Sequence, residues 1–291
     1  MLSVERDEQV ELGPLGPGSL TWDCIGDLRC ALLIIRAGVL QAMHPAVGAA
    51  LMEHSDVFEN QWNRLLRSVP PILATVYAGD KAPAIGRRVR DFHTGISGVD
   101  ADGRSYHALT PDVFFWTHAT FFESQIAMRE LYARPLRRDE KERLYDESIR
   151  WYATYGVSLR PVPPDYAAFE RYWDGMVADV LVSTEPVRWT FSPAARESPP
   201  PFPWLAGLPW RALRPVVVDG SNWLARGTLP VPIRERLGLE WNARDERQLR
   251  AFRVAVRGTF GALPTEWRYG TAVRKARRRG RAERTAAARP A

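Results

Sequence analysis

All five histidines of this 291-residue chain fall before residue 119. His44 and His54 lie in IRAGVLQAMHPAVGAALMEHSD, His93 in GRRVRDFHTGISG, and His107 and His118 in DGRSYHALTPDVFFWTHATFFES. Imidazole is the side chain best suited to hold a metal ion and to move protons near neutral pH. Phe114, Phe115, Phe121 and Phe122 flank His118 at helical spacings of three and four, so its ring is expected inside the protein. His93 comes four residues after Val89 and three before Ile96, at the border of an inward face. A cofactor pocket in the N-terminal half is the expectation that follows. By composition alone, a hydrogen-bonded core histidine remains the simpler reading of His93. Likewise, a solvated basic face is the simpler reading of Arg64 and Arg67, which share one helical face with Ser68. His44 precedes Pro45, where it either orients two helices or serves the pocket. His54 and His107 sit near expected ends and turns.

The elements that must position these residues are helical. LRCALLIIRAGVLQAM is almost wholly apolar and predicts a buried helix up to Met43, with a new helix starting at Pro45. A further helix is expected from about Gln61, broken or kinked at Pro70-Pro71. The spacing predicts a helix over 82–98 with Ile85, Val89, Phe92 and Ile96 on one stripe. Asp102-Gly103 predicts a short hairpin within residues 99–107. Thr110 and Pro111 suit the N-cap and first position of a helix that is apolar almost all round, hence central in a bundle. Helical patterns recur near 138–155, 165–182 and 244–260, separated by the proline-rich SPAARESPPPFPWLAGLPW. No strand–helix alternation and no internal repeat is present. The fold class expected is all-α, a single large helical bundle with a minor β-hairpin.

The net charge of +6 is unevenly spread. From Arg268 onward lie nine of the 40 basic residues and one of the 34 acids, so the rest carries 31 against 33. Residues 1–20 are therefore expected to be a flexible lead-in, 21–265 the helical domain, and 266–291 a basic, disordered tail. Such a tail implies weak contact with a membrane surface rather than specific nucleic-acid binding. No run reaches ~18 apolar residues. Cys24 and Cys30 read as reduced thiols, and a cytoplasmic location is expected.

H-E-x-x-H, C-x-x-C, paired Glu-x-x-His, G-x-S-x-G, Walker A and G-x-G-x-x-G are all absent. What is present is an ordered series. It comprises R-A-x-x-L-Q-x-x-H-P-A-V (Arg36 to Val47), E-H-S-D (Glu53 to Asp56), R-L-x-R-S (Arg64 to Ser68), R-R-V-R-x-x-H (Arg87 to His93), D-G-R-x-Y-x-A-L (Asp102 to Leu109) and W-x-H-A-T (Trp116 to Thr120). This series resembles the MpaB-type and rubber-oxygenase family, which includes the latex-clearing proteins.

The resemblance implies a helical fold enclosing a non-covalent haem b, and oxidative chemistry with dioxygen on an apolar, isoprenoid or lipid-like small molecule, with an electron donor as a further partner. It implies that His93 is the iron ligand and that Arg64, Arg67 and Ser68 form the polar group over the haem. There, Arg67 stands where latex-clearing proteins have a lysine, and Ser68 where they have a threonine. Arginine cannot shed its proton to become an iron ligand as lysine can. Arg87 and Arg88 are placed to reach haem propionates, and His44 and His118 complete the cofactor-binding set. The alternatives are a non-catalytic haem- or lipid-binding bundle, and a membrane- or nucleic-acid-associated protein acting through its tail.

Overall fold

A computed structural model describes residues 13–287. The chain opens with α1 (Leu20–Cys24), a 3-10 turn at Leu28–Leu33 and α2 (Ile34–Ala42). Next come α3 (Pro45–His54), α4 (Val57–Tyr77) and α5 (Ala82–Asp91). Strands β1 (Ser97–Val99) and β2 (Ser105–His107) pair antiparallel, with Gly98 opposite Tyr106. Then follow α6 (Pro111–Tyr132), α7 (Arg138–Ala153), α8 (Tyr166–Gly175) and α9 (Glu185–Thr190). The C-terminal part holds α10 (Leu208–Arg214), α11 (Gly220–Thr228), α12 (Val231–Arg236), α13 (Ala243–Ala262) and α14 (Thr271–Ala287). The fold is all-α with one small hairpin.

The apolar run up to Met43 is buried and ends where His44-Pro45 turns the chain by 101° into α3. Pro45 occupies the first turn, where its missing N–H costs nothing. No single described helix is long and apolar enough to cross a membrane. At the hairpin, the Asp100 carboxylate accepts the backbone N–H groups of Asp102 and Arg104, and Gly103 takes φ +80°. A side chain there would be strained.

Helix α6 is central. Its buried residues include Phe115, Trp116, His118, Ala119, Phe122, Gln125 and Met128, which lie on more than one face. The helix is tied to α2 by polar contacts inside the core. Trp116 Nε1 donates to the Leu40 carbonyl at 3.0 Å, and the Gln41 amide donates to Thr120 Oγ1 at 2.7 Å. Arg36, 4 % exposed, forms a bidentate pair with Glu123 and donates Nε–H to the Thr228 carbonyl on α11. His118 lies within an aromatic cage. Its ring centroid is 4.7 Å from Trp151, 5.1 Å from Tyr152 and 6.1 Å from Tyr155. Burial drives its pKa down to about 3, so the ring is neutral.

Four expectations are corrected. Pro70 and Pro71 do not break α4, whose one non-helical residue is Asn60. The carbonyls deprived of donors belong to Leu66 and Arg67, which are exposed to water, and proline's fixed φ suits a helix. The helix expected over 82–98 stops at Asp91. Turn bonds from His93 N to Arg90 O and from Ile96 N to His93 O replace it, and Phe92 is 66 % exposed. The stripe that α5 buries is Ala82, Gly86 and Val89.

The basic tail forms α14 rather than a disordered arm. Val273 is buried, Gly280 packs on Pro17 and Trp22, Arg277 binds Asp23, and Arg279 donates to the Tyr77 carbonyl. The expected lead-in is anchored from Gly13 onward, because Arg150 donates to the Gly13 and Pro14 carbonyls and Leu15 is buried. Its first twelve residues, and the end of the tail after residue 287, lie outside the described residues.

Two outcomes follow. A Cβ on Gly86 would sit 2.3 Å from the Thr154 carbonyl oxygen. Gly86→Ala should therefore push α5 off the end of α7 and cost about 1–3 kcal/mol, read as a lower urea midpoint. His118 stays neutral when folded and titrates near 6.5 when unfolded, so its contribution is fully present above that pH and lost as pH falls towards 3. Stability between pH 6 and 4 should fall more steeply than in His118→Gln, by up to about 1.4 kcal/mol per pH unit. Equal slopes would contradict this.

Candidate functional site

The site is built on the α4–α5 hairpin and the start of α6. Helix α5 packs back along α4 after the turn at Gly79–Lys81. Ser68 stands nine residues before the end of α4, and His93 eleven residues after the start of α5. At about 1.5 Å of rise per residue, both lie roughly 15 Å from the connection. The polar residues of α4 and the histidine thus lie on the two paired helices of one hairpin, His93 just past the end of α5.

His93 follows directly on the C-cap, Phe92. Its Nδ1 is 2.9 Å from the Val89 carbonyl oxygen. Only an N–H can meet a carbonyl, so Nδ1 carries a proton, and in the neutral imidazole Nε2 is the nitrogen with the lone pair. No described residue hydrogen-bonds to Nε2. The ring is half-buried and meets Phe114 edge-on, with centroids 5.8 Å apart at 84°. Val89 is itself held in the buried stripe of α5, so the anchoring carbonyl belongs to a fixed turn of helix.

Arg64 is half-buried and has neither an ion pair nor a hydrogen bond from its side chain among the described residues. Desolvation lowers its pKa, with Asp56 acting against this and Arg67 with it. Arg67 turns outward: its side chain is 61 % exposed and pairs with Asp56 at 3.0 Å. Ser68 Oγ donates to the Arg64 carbonyl at 2.9 Å. Arg87 and Arg88 are exposed, and Arg87 passes over Gly156, which takes φ +65°. Of the basic group, Arg64 is therefore the cation held out of water without a direct partner.

His44 occupies the N-cap of α3 without making the cap bond. Its Nδ1 is buried and unpaired among the described residues, and desolvation lowers its pKa against Asp100 and Asp112. His118 is farther along the aromatic layer. Phe114 touches His93 on one side and Tyr152 and Tyr155 on the other, and those two rings touch His118. Its Nε2 meets the Ser148 hydroxyl at 2.9 Å, so that nitrogen is occupied.

His54 and His107 serve the chain. His54 Nε2 meets the Ser97 carbonyl, while His107 Nε2 donates to the Thr94 carbonyl and its Nδ1 accepts the Leu109 N–H. Sequence reasoning missed Glu53, whose carboxylate accepts the Tyr106 hydroxyl at 2.8 Å beside Gly98. A Cβ on Gly98 would meet that carboxylate at 2.1 Å, so Gly98 makes room for the bond. A signal existed, since both Glu53 and Tyr106 stand inside the ordered series of strings. Together these contacts clamp the hairpin to the end of α3, closing the loop that follows His93.

No group of three His, Cys, Asp or Glu that could hold a metal ion occurs among the described residues. A metal bound here would depend on ligands that a prosthetic group brings with it. The sequence model of the catalytic domain of the ER-bound oxygenase mpaB/B'/rubber oxygenase family matches residues 22–258. No curated protein and no solved structure matches the chain. With all five histidines and most of the helical body inside that match, the chain belongs to the mpaB/rubber-oxygenase catalytic-domain family.

Proposed function

We propose that the chain is a haem b-dependent oxygenase that uses dioxygen on an apolar, isoprenoid or lipid-like small molecule. The observation that carries the reading is the free Nε2 of His93, with the proton fixed on Nδ1 by the Val89 carbonyl. A ring anchored through one nitrogen presents the other as a metal ligand in a set orientation. His93 would hold the iron of a bound haem through Nε2, the ring nitrogen that no described residue engages. Bound haem would supply the activation of dioxygen, which no side chain here can perform.

The chain's own residues do the rest. His93 holds and orients. Phe114 shields one side of that ring from water. Arg64 offers guanidinium donors in a half-dry setting, where they hold a carboxylate or stabilise developing negative charge better than in water.

Protein produced with ample haem should show an intense Soret band. In His93→Ala the band should be lost or greatly weakened, while in His54→Ala and His107→Ala it should remain. An unchanged spectrum in His93→Ala, or a wild-type protein that stays colourless with added haem, would reject the reading. Arg64→Ala should retain haem, yet lower substrate-dependent oxygen uptake by about tenfold to a hundredfold. Uptake equal to wild type would remove Arg64 from the site.

A further inference from the structure

The segment from Ser198 to Val218 carries large apolar side chains that the fold leaves uncovered. Phe202 is 42 % exposed, Trp204 75 %, Leu208 78 %, Leu213 44 % and Val216 72 %. Scattered apolar residues on a surface are ordinary, but here five fall within fifteen positions, and two of them, Phe202 and Trp204, lie against each other.

The segment is not loose chain. Trp210 and Val218 are buried and form a small core with Ala195, separate from the main one, against which Trp62 and Trp189 pack. Trp210 Nε1 donates to the Ser198 carbonyl at 2.9 Å, and the Gln61 amide on α4 donates to the Ser198 hydroxyl at 2.8 Å. Phe202 and Trp204 stack at 5.8 Å. The inner side of the segment is thus anchored while its outer side stays apolar.

Charge says what the patch meets. Between Ser198 and Val218 there is no acidic residue, and the only charges are Arg211 and Arg214. The acids at either end are engaged: Glu197 pairs with Arg214 at 3.0 Å and Asp219 with Arg196 at 2.8 Å. Arg211 is exposed with no ion pair among the described residues. We infer that this face docks on a lipid bilayer surface bearing anionic headgroups. Trp204, Phe202 and Leu208 enter the interface, and Arg211 meets the phosphates. Tryptophan and arginine suit that boundary, one apolar with a polar edge, the other cationic on an apolar stem. The contact is peripheral, as no single described helix is long and apolar enough to span. It is also distinct from the basic tail, whose Arg277 and Arg278 are already paired with Asp23 and Glu266.

The test is co-sedimentation of the full-length protein with vesicles of phosphatidylcholine alone or mixed with phosphatidylglycerol. Wild type should bind the mixed vesicles. Trp204→Ser with Leu208→Ser should weaken that binding about tenfold or more. Arg211→Glu should lose the preference for the mixed vesicles. Vesicles containing brominated lipid should quench the fluorescence of wild type more than that of Trp204→Phe. Both side chains of the double variant are largely exposed, so its circular dichroism and melting temperature should match wild type. Absence of binding at low salt, or equal binding by wild type and the double variant, would overturn the inference. A wild-type dimer that the double variant converts to monomer, with no vesicle binding, would assign the face to a second copy and overturn it equally. None of these readouts involves haem or turnover, so their failure is separable from failure of the oxygenase reading.

Discussion

The polar lock between α2 and α6 is the constraint on which the rest of the protein hangs. Arg36 and Glu123 are an ion pair taken largely out of water, which costs solvation, and their attraction repays it only if the geometry is held. Here the geometry is held by the Thr228 carbonyl on one side and by the neighbouring Gln41–Thr120 and Trp116–Leu40 bonds on the other. An apolar interface would tolerate a sliding of α6 along α2. This one does not, because a shift by one turn would strand a guanidinium, a carboxylate and an indole N–H at once. The position of α6 then fixes Phe114 and, through it, the edge against which His93 rests.

The ordered strings in the sequence resolve into pairs of interlocking surfaces. R-A-x-x-L-Q supplies one half of the α2–α6 lock, and W-x-H-A-T with Glu123, three residues beyond it, supplies the other. E-H-S-D supplies Glu53 for Tyr106, His54 for the Ser97 carbonyl and Asp56 for Arg67, joining three strings in one corner. Most of these residues therefore hold the scaffold, while His93, Arg64 and the buried Nδ1 of His44 and of His118 keep a bonding group that no described residue uses. A string shared with a family need not mark chemistry at every position. The division is made by asking which donors and acceptors are already satisfied.

What the sequence made legible was whatever depended on local rules. The break at His44-Pro45, the helix start at Thr110-Pro111 and the turn at Asp102-Gly103 follow from backbone chemistry within a few residues. The places where the chain departs depend on distant partners. Pro70-Pro71 reads as a breaker unless it is known that Leu66 and Arg67 face water. Phe92 looks like a core residue until Asp91 ends the helix one position earlier. The charge of RKARRRGRAER obscured Val273, Ala276 and Gly280, a small-residue stripe at helical spacing that seats α14 on Trp22 and Pro17. Helical spacing puts Arg64, Arg67 and Ser68 on one face, and the family resemblance makes them one group. Asp56, eleven residues before Arg67, draws that side chain outward and leaves Arg64 as the half-buried member.

The contrast between His93 and His118 shows how far residue type falls short of function. Both rings lie in the same aromatic layer, with two rings, Phe114 and Tyr152, between them. At His118 the surroundings exclude water on every side, and the ring is neutral with Nε2 bonded to Ser148. Its Nδ1 is buried and meets no hydrogen-bond partner among the described residues. At His93 the same imidazole is only half enclosed, because α5 has ended and the chain is turning towards the hairpin. One carbonyl four residues back is enough to choose the tautomer, and the loss of the helix beyond Asp91 keeps the other nitrogen clear. The shortening of α5, which removes Phe92 from the core, is thus also what gives His93 its open lone pair.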